Sequence, residues 1–355
     1  MSDITPVITR KVGSVGRITL NRPEALHALT EEMCVIMSDA LLDWREDDEI
    51  GVVLVDHAEG TRGFCAGGDI RMLAESGAGD GKAATDFFRA EYRLNTLIHN
   101  YPKPYVSILN GVTMGGGVGV SVHGSHRITT EKTLFAMPES GIGLFPDVGG
   151  GWFLPRLPGE YGMWLALTGA RLKGSDVTAL GIGTHHVPGE LLGNLVGQIE
   201  SADFSFEAEH LLNSILGSVS QTVPHAEIED YEDMINTCFS ADSVERILEC
   251  LASQEDDWAR AQVNILKEKS PLTLKVAFRQ LREGAHMASF EDNMVMEYRI
   301  GARMVREGEF HEGVRAVIID KDNAPNWPSG DLSQVHEKKL QEIFAPLSVD
   351  ELTFL

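Results

Sequence analysis

Cysteine is scarce in this chain: four in 355 residues, at positions 34, 65, 238 and 250, with no CxxC pair. Nothing in that spacing resembles a small disulfide-stapled domain, so reduced thiols in a cytosol-like compartment are expected. Long apolar runs are missing too. No stretch of eighteen apolar residues occurs, and the N-terminal MSDITPVITRKVGSVG lacks the apolar centre of a signal peptide. A cytoplasmic protein that does not enter membranes is the expectation. Positive charge is the third shortage. Thirty Lys and Arg stand against 53 Asp and Glu, a formal net charge of −23. That balance disfavours nucleic acid and anionic membranes, and an anionic ligand needs local donors that outweigh the global field.

Several site motifs are absent as well. Gly115-x-Gly117 is followed by Val120 where a dinucleotide fingerprint needs its third glycine. Gly119-x-Ser121 runs into His123 instead of the glycine of a nucleophile elbow, and no phosphate-binding Gly-Lys-Ser/Thr loop occurs. His123, His126, His185 and His186 have no carboxylate or cysteine at a metal-ligand spacing, so no metal is assigned.

Glycine, by contrast, is plentiful, with 36 residues, and it is placed with purpose between Tyr105 and Trp152. Tyr105 to Leu109 has the length and β-branched content of a strand. Asn110-Gly111 makes a turn, and Gly115, Gly116 and Gly117 open an apolar segment, Val118 to Val122, of helical character. Three glycines between a strand and a helix let a bound group approach backbone N–H donors. Tight packing is the ordinary alternative. Downstream, Glu139 in MPESG and Asp147 in FPDVGGG stand in Gly/Pro loops among apolar neighbours. An acid in such company is paired, protonated or chemically employed. Donors for an oxyanion beside two isolated carboxylates suggest acyl chemistry.

Upstream, Val15 to Leu20 alternates like a strand, Thr30-Glu31-Glu32 starts a helix, and Gly51 to Val55 is a buried-strand run. This β–α–β order argues a layered α/β fold. The loop Gly63–Ile70, GFCAGGDI, follows that strand as the Gly115 loop follows its own, so two backbone donors could converge. Cys65 within it reads as a packed small residue. Ser76 to Lys82 is a Gly/Ala/Ser-rich loop. The helix from Ala83 to Asn100 puts Phe88, Tyr92, Asn95 and His99 on one stripe, leaving Glu91 off its axis and solvated. From about Asp203 helix starts recur: Asp242-x-x-Glu245 reads as a capping box, Ser270-Pro271 as a cap with an N1 proline, and Phe290, Met294, Tyr298, Ala302 and Val305 as a buried stripe. The expected organisation is a core over 1–202 and a mainly helical region over 203–355.

With NRPEALHAL (21–29), FCAGGDI (64–70) and residues 104–157 in view, the sequence resembles the crotonase, or enoyl-CoA hydratase/isomerase, superfamily. FFRAEY (87–92), ALTGARLKGSDV (166–177), SPLTLKV (270–276), MEYR (296–299) and EFHEGVRAVIIDKD (309–322) extend the likeness along nearly the whole chain, toward its thioester-hydrolase branch. The resemblance implies a spiral of ββα units with a helical C-terminal region, and an acyl-CoA substrate. It implies that the N–H groups of Gly68 and Gly116 hold the thioester oxygen, and that no cofactor is needed beyond the CoA of the substrate itself. Hydratases carry a first catalytic glutamate three residues after the middle glycine of the triplet. Here that position is Gly119, while the second glutamate is kept as Glu139 and a new carboxylate stands at Asp147. The implied reaction is hydrolysis of 3-hydroxyisobutyryl-CoA to 3-hydroxyisobutyrate and CoA in valine breakdown, with Glu139 and Asp147 catalytic and Glu91, Gly116, Glu139 and Asp147 touching substrate. A hydratase or isomerase on the same fold, or a non-catalytic acyl-CoA-binding protein, are the alternatives. Self-association is left open.

Overall fold

A computed structural model describes residues 5–223 and 225–354; the first four residues of the N-terminal stretch read above lie outside them. Among the described residues, ten strands form two sheets. They are β1 (Val7–Val12), β2 (Val15–Leu20), β3 (Val52–His57), β4 (Gly63–Cys65), β5 (Tyr105–Leu109), β6 (Val112–Met114), β7 (His126–Thr129), β8 (Leu134–Ala136), β9 (Leu172–Lys173) and β10 (His185–His186). The larger sheet has the order β1-β2-β3-β5-β7-β10, the smaller β4-β6-β8-β9. Each pass of the chain therefore leaves one strand in the large sheet and the next in the small one: β3 then β4, β5 then β6, β7 then β8. Helices follow these pairs, and this alternation is the expected spiral of ββα units.

β1 and β2 form an antiparallel hairpin, and the neighbours β2-β3, β3-β5, β5-β7 and β7-β10 pair in parallel. Parallel strands are covered on both faces, which is why Val52–Val55 of β3 and all of β5 but Ser107 are apolar. Val15, Val52, Leu54, Val106, Ile108 and Ile128 form one core with Leu195 and Ile199 of the helix Leu192–Ser201 and Leu212 and Leu216 of the helix Ala208–Val219.

The helix starts follow the sequence with one shift. Thr30 caps α1 (Glu31–Arg45) by accepting from Met33 N, and Ser270 caps the helix Pro271–Gly284 by accepting from Thr273 N. At 242–245 the cap is Ser243, which accepts from Arg246 N, one residue after the expected Asp242. α2 (Ile70–Gly77) extends into the segment expected as loop, leaving a turn before α3 (Lys82–His99).

The chain divides into two compact units, each made of three stretches. One is Met1–Gly68, Arg93–Phe135 and Arg171–Glu227; the other is Asp69–Tyr92, Ala136–Ala170 and Ile228–Leu355. This differs from a break at 202. The helix Ala208–Val219 covers the large sheet, so it belongs with the strands. The reduced-thiol expectation is corrected for one pair: Cys238 and Cys250 form a disulfide, with Cα atoms 5.3 Å apart. Two successive helices, Glu232–Phe239 and Val244–Ala252, bring these positions together across twelve residues, a spacing with no local signature. Cys34 and Cys65 are buried and stand outside any disulfide. Among the described residues no helix is long and apolar enough to cross a membrane, and no cluster of three or more His, Cys, Asp or Glu is arranged to hold a metal ion.

Candidate active site

Two sets of groups are built, one in each unit. In the first, β4 and β6 pair in parallel, so the glycine loops that leave them run side by side. A Cβ placed on Gly67 would lie 3.9 Å from Gly116 N and 3.7 Å from Met114 O. Gly116 is the first residue of the one-turn helix α4 (Gly116–Gly119), so its N–H has no intrahelical acceptor. Among the described residues, neither Gly68 N nor Gly116 N donates to any backbone acceptor. Each is a free donor of the kind an oxyanion requires. Gly117 does different work: a Cβ there would come within 2.4 Å of Cys65 O, so this glycine is a packing glycine. The segment Val118 to Val122, expected as helix, contributes only the end of this single turn.

The NRPEALHAL segment braces the Gly63–Gly68 loop. Leu26 and His27 both adopt positive φ, at 47° and 58°, which turns their carbonyls and the chain after them toward it. Ala66 N donates to Leu26 O at 3.0 Å and Leu29 N to Gly67 O at 2.7 Å, and Cys65 Sγ donates to His27 O at 3.1 Å. Cys65 is thus a packed thiol. Arg22 N donates to His27 Nδ1 at 3.0 Å, which leaves Nε2–H to donate to Thr61 Oγ1 at 3.0 Å. Burial pushes this imidazole down to about 4, so it is neutral in its buried bracket.

In the second unit, carboxylates gather. Glu91, Glu139, Asp147 and Glu297 are respectively 2%, 5%, 5% and 0% exposed. Glu91 therefore is not the solvated acid its helical position suggested. α3 is buried over a face wide enough to take Ala84, Phe87, Phe88, Glu91 and Tyr92 together, so one stripe understated it. Glu139 opens the single 3-10 turn Glu139–Gly141 after Pro138. Its carbonyl accepts from Ile142 N and Leu144 N, both at 3.0 Å, and the neighbouring Ser140 Oγ donates to Leu167 O at 3.2 Å. Asp147 precedes a strained corner: Val148 has φ +51° and Gly149 φ +88°. A β-branched residue in that region costs on the order of 1–3 kcal/mol and persists only where its surroundings enforce it. Tyr92 donates its hydroxyl to Asp147 Oδ2 at 2.8 Å and stacks on Phe88, ring centroids 5.5 Å apart.

Burial pushes Glu91 and Glu139 well above the ordinary carboxylate range, and neighbouring negative charge adds to it: Asp147, Glu139 and Glu297 act on Glu91, and Asp147 acts on Glu139. Burial also lifts Asp147, to about 6, while the Tyr92 hydroxyl pulls it down. Glu139 Oε2 and Glu91 Oε1 are buried without a hydrogen-bond partner among the described residues. Acids with raised proton affinity and open coordination can take a proton from water or give one to a leaving group.

The sequence profile of the enoyl-CoA hydratase/isomerase family matches residues 15–344. The chain belongs to that family. Among curated relatives, the mitochondrial 3-hydroxyisobutyryl-CoA hydrolase of Danio rerio is 46% identical over 98% of this chain and 91% of its own length. The one of Homo sapiens is 45% identical over 98% and 90%. Two solved structures of this family share the fold throughout. A carnitinyl-CoA dehydratase from Mycobacterium thermoresistibile superposes with a TM-score of 0.92 at 37% identity, with 98% of each chain covered. An enoyl-CoA hydratase from Rhodobacter sphaeroides gives 0.89 at 38%, covering 98% of this chain and all of its own. The cytoplasmic expectation finds no support in the curated relatives' names, which carry the word mitochondrial.

Of the expected family residues, Gly68 and Gly116 fall on adjacent loops in one unit, and Glu91, Glu139 and Asp147 in one acid cluster in the other. Sequence reasoning missed Tyr92 and Glu297. Tyr92 was read as packing alone. Glu297 lay unremarked inside MEYR, and the available signal was an acid flanked by Met296 and Tyr298 on a helix whose neighbouring stripe is buried.

Proposed function

We propose that this chain hydrolyses 3-hydroxyisobutyryl-CoA to 3-hydroxyisobutyrate and CoA. The observation that carries the reading is the pairing of buried Glu139, with an unpartnered oxygen, and Asp147 in one acid cluster, while position 119 is glycine. The names and full-length identity of the curated relatives support it. In this reading the N–H groups of Gly68 and Gly116 hold the thioester oxygen, each worth about 2.7–4 kcal/mol to the tetrahedral intermediate. Water attacks the carbonyl carbon as Glu139 takes its proton, the C–S bond breaks, and that proton passes to the departing thiolate. Attack by Glu139 itself, through a mixed anhydride, gives the same products. Asp147, oriented by Tyr92, aligns the water or the substrate hydroxyl, and Glu91 meets the acyl end. CoA enters as part of the substrate, and no further cofactor is called on.

The solved structures named as dehydratase and hydratase favour addition or removal of water across a double bond. That chemistry uses a carboxylate at position 119, where this chain has no side chain. An acyl-CoA-binding protein without turnover has no use for the acid cluster. Release of free CoA thiol, measured across hydroxyacyl, saturated and enoyl thioesters, separates the three readings: rapid hydration of an enoyl ester with no thiol released would overturn hydrolysis. For the compartment, fractionation of source cells decides between the cytoplasm and the mitochondrial location in the relatives' names.

A further inference from the structure

Glu297 is wholly buried in the middle of the helix Phe290–Met304, and its carboxylate is turned to the loop that carries Asp147. Its Oε2 accepts from Gly149 N at 2.7 Å. Its Oε1 accepts from Gly151 N and Asn293 Nδ2, both at 2.8 Å, and from Gln280 Nε2 at 3.1 Å. Gln280 Nε2 also donates to Pro146 O at 2.7 Å, so the loop is gripped on both sides of Asp147.

The donors explain why an acid stands there. α5 (Gly150–Phe153) begins at Gly149, a cap residue with no side chain to satisfy the first N–H groups of the helix. Glu297 supplies that acceptor from another helix, as a capping side chain contributed at a distance. Gly151 is glycine for the same reason: a Cβ there would lie 2.5 Å from Asn293 Oδ1 and 3.0 Å from Gln280 Cγ, inside the cage. The corner being held is the strained one, Val148 at φ +51° and Gly149 at φ +88°. Gly150 N closes this turn by donating to Asp147 O at 2.8 Å, and the two-pronged acceptor holds the N–H groups of Gly149 and Gly151 on either side of that bond.

We propose that Glu297 is a positioning residue for the reaction: its carboxylate clamps Gly149 and Gly151 and thereby fixes the aim of Asp147. Tyr92 fixes the same carboxylate from its side chain, so Asp147 is held by backbone and by Oδ2 independently. The ionisable groups that act on Glu297 and its immediate neighbours are Asp147, Glu91 and Tyr92, with Glu139 acting on Glu91. The proposal rests on the thioester-hydrolase reading above.

The test is a kinetic double-mutant cycle on the full chain with 3-hydroxyisobutyryl-CoA, using wild type, Glu297→Gln, Asp147→Asn and the double variant. Glutamine keeps the shape and one acceptor but turns an NH2 group toward Gly149 N–H. Glu297→Gln should lower kcat on the order of tenfold to a hundredfold, as a small misplacement of a reacting group does, with KM close to wild type. Placed on Asp147→Asn, it should lower the residual rate no further, because its effect passes through Asp147. A merely structural glutamate would leave kcat per folded molecule unchanged, or carry its full effect into the Asp147→Asn background. Either result overturns the proposal. Should Glu297→Gln fail to fold, Gln280→Met removes the donors to Pro146 and Glu297 and is run through the same cycle with the same two overturning outcomes. A wild type that releases no thiol fails the hydrolase reading; an active wild type with additive variants fails the positioning role alone.

Discussion

The two units of this chain meet the demands of a polar site in opposite ways. In the first, the groups proposed to carry the chemistry are backbone N–H donors on adjacent glycine loops, Gly68 and Gly116, neither of which donates to a backbone acceptor among the described residues. In the second, they are side-chain carboxylates, Glu91, Glu139, Asp147 and Glu297, driven into a buried cluster that resists ionisation. A backbone donor is deleted only by proline, which also fixes φ; any other side chain can only obstruct it. A carboxylate can be deleted with almost no change of shape. The first set is therefore probed by adding bulk and the second by removing charge, and the two kinds of change should leave different traces.

The largest effect is expected in the acid cluster. Glu139→Gln should lower turnover by about a hundredfold or more while binding of a CoA ester and the melting curve stay near wild type. Near-normal turnover in the folded variant would remove Glu139 from the reaction. Next comes the donor set. Gly116→Val obstructs an N–H without removing it, and should cost on the order of a hundredfold in kcat, more than its cost in thermal stability. Intact kinetics would show that this loop does not hold the thioester oxygen.

Gly119→Glu then mixes the two modes, placing a carboxylate in the glycine-loop unit. Crowding beside the Gly116 donor should slow hydrolysis of the branched ester by less than either change above. Paired assays on 3-hydroxyisobutyryl-CoA and a short enoyl-CoA read it, and faster thioester hydrolysis in the variant would contradict it.

A pH titration sharpens the comparison without mutation. The folded state raises Asp147 to about 6 and Glu297 to about 8, and lifts Glu91 and Glu139 in the same direction. It therefore holds more protons than the unfolded chain, so this contribution to stability is full below the ordinary carboxylate range and is lost as pH rises through about 6 and then about 8. Tm should fall from pH 5 to 8.5, and fall less steeply in Glu91→Gln; a rising Tm over that window would contradict the buried-acid picture. The smallest effect on activity belongs to the Cys238–Cys250 disulfide. Reduction should lower Tm, since closing a loop of this length is worth about 3 kcal/mol in the chain-entropy account, and leave kcat unchanged.

What could be read from residues alone divides along the same line. β2, β3, β5, α1 and the helices starting at Pro271 and Phe290 carry local signals, alternation, apolar runs and caps, and the structure has them. β4, β6 and β8 are three residues each and sit in glycine-rich or turn-rich sequence, where no period can be counted. Their existence follows from pairing with one another, which is not a local property. Glu139 and Asp147 were visible because apolar, Pro/Gly neighbours isolate them. Glu91 and Glu297 were obscure for the converse reason: each lies in the middle of a long helix, where an acid is usually solvated, and only the packing of α3 and of Phe290–Met304 removes them from water.

The pairing of β4 with β6 has one more consequence. Its register shifts between Gly63 and Cys65, so the two loops beyond leave the sheet at heights set by that irregularity. One residue of strand advances the chain by about 3.3 Å, more than the whole tolerance of a hydrogen bond. If the two N–H groups share one oxygen as proposed, a single insertion or deletion between Gly63 and Gly68, or between Val112 and Gly116, would move one donor out of its reach while the other stays. On that reading, chain length in these two short segments is as tightly specified as any side chain.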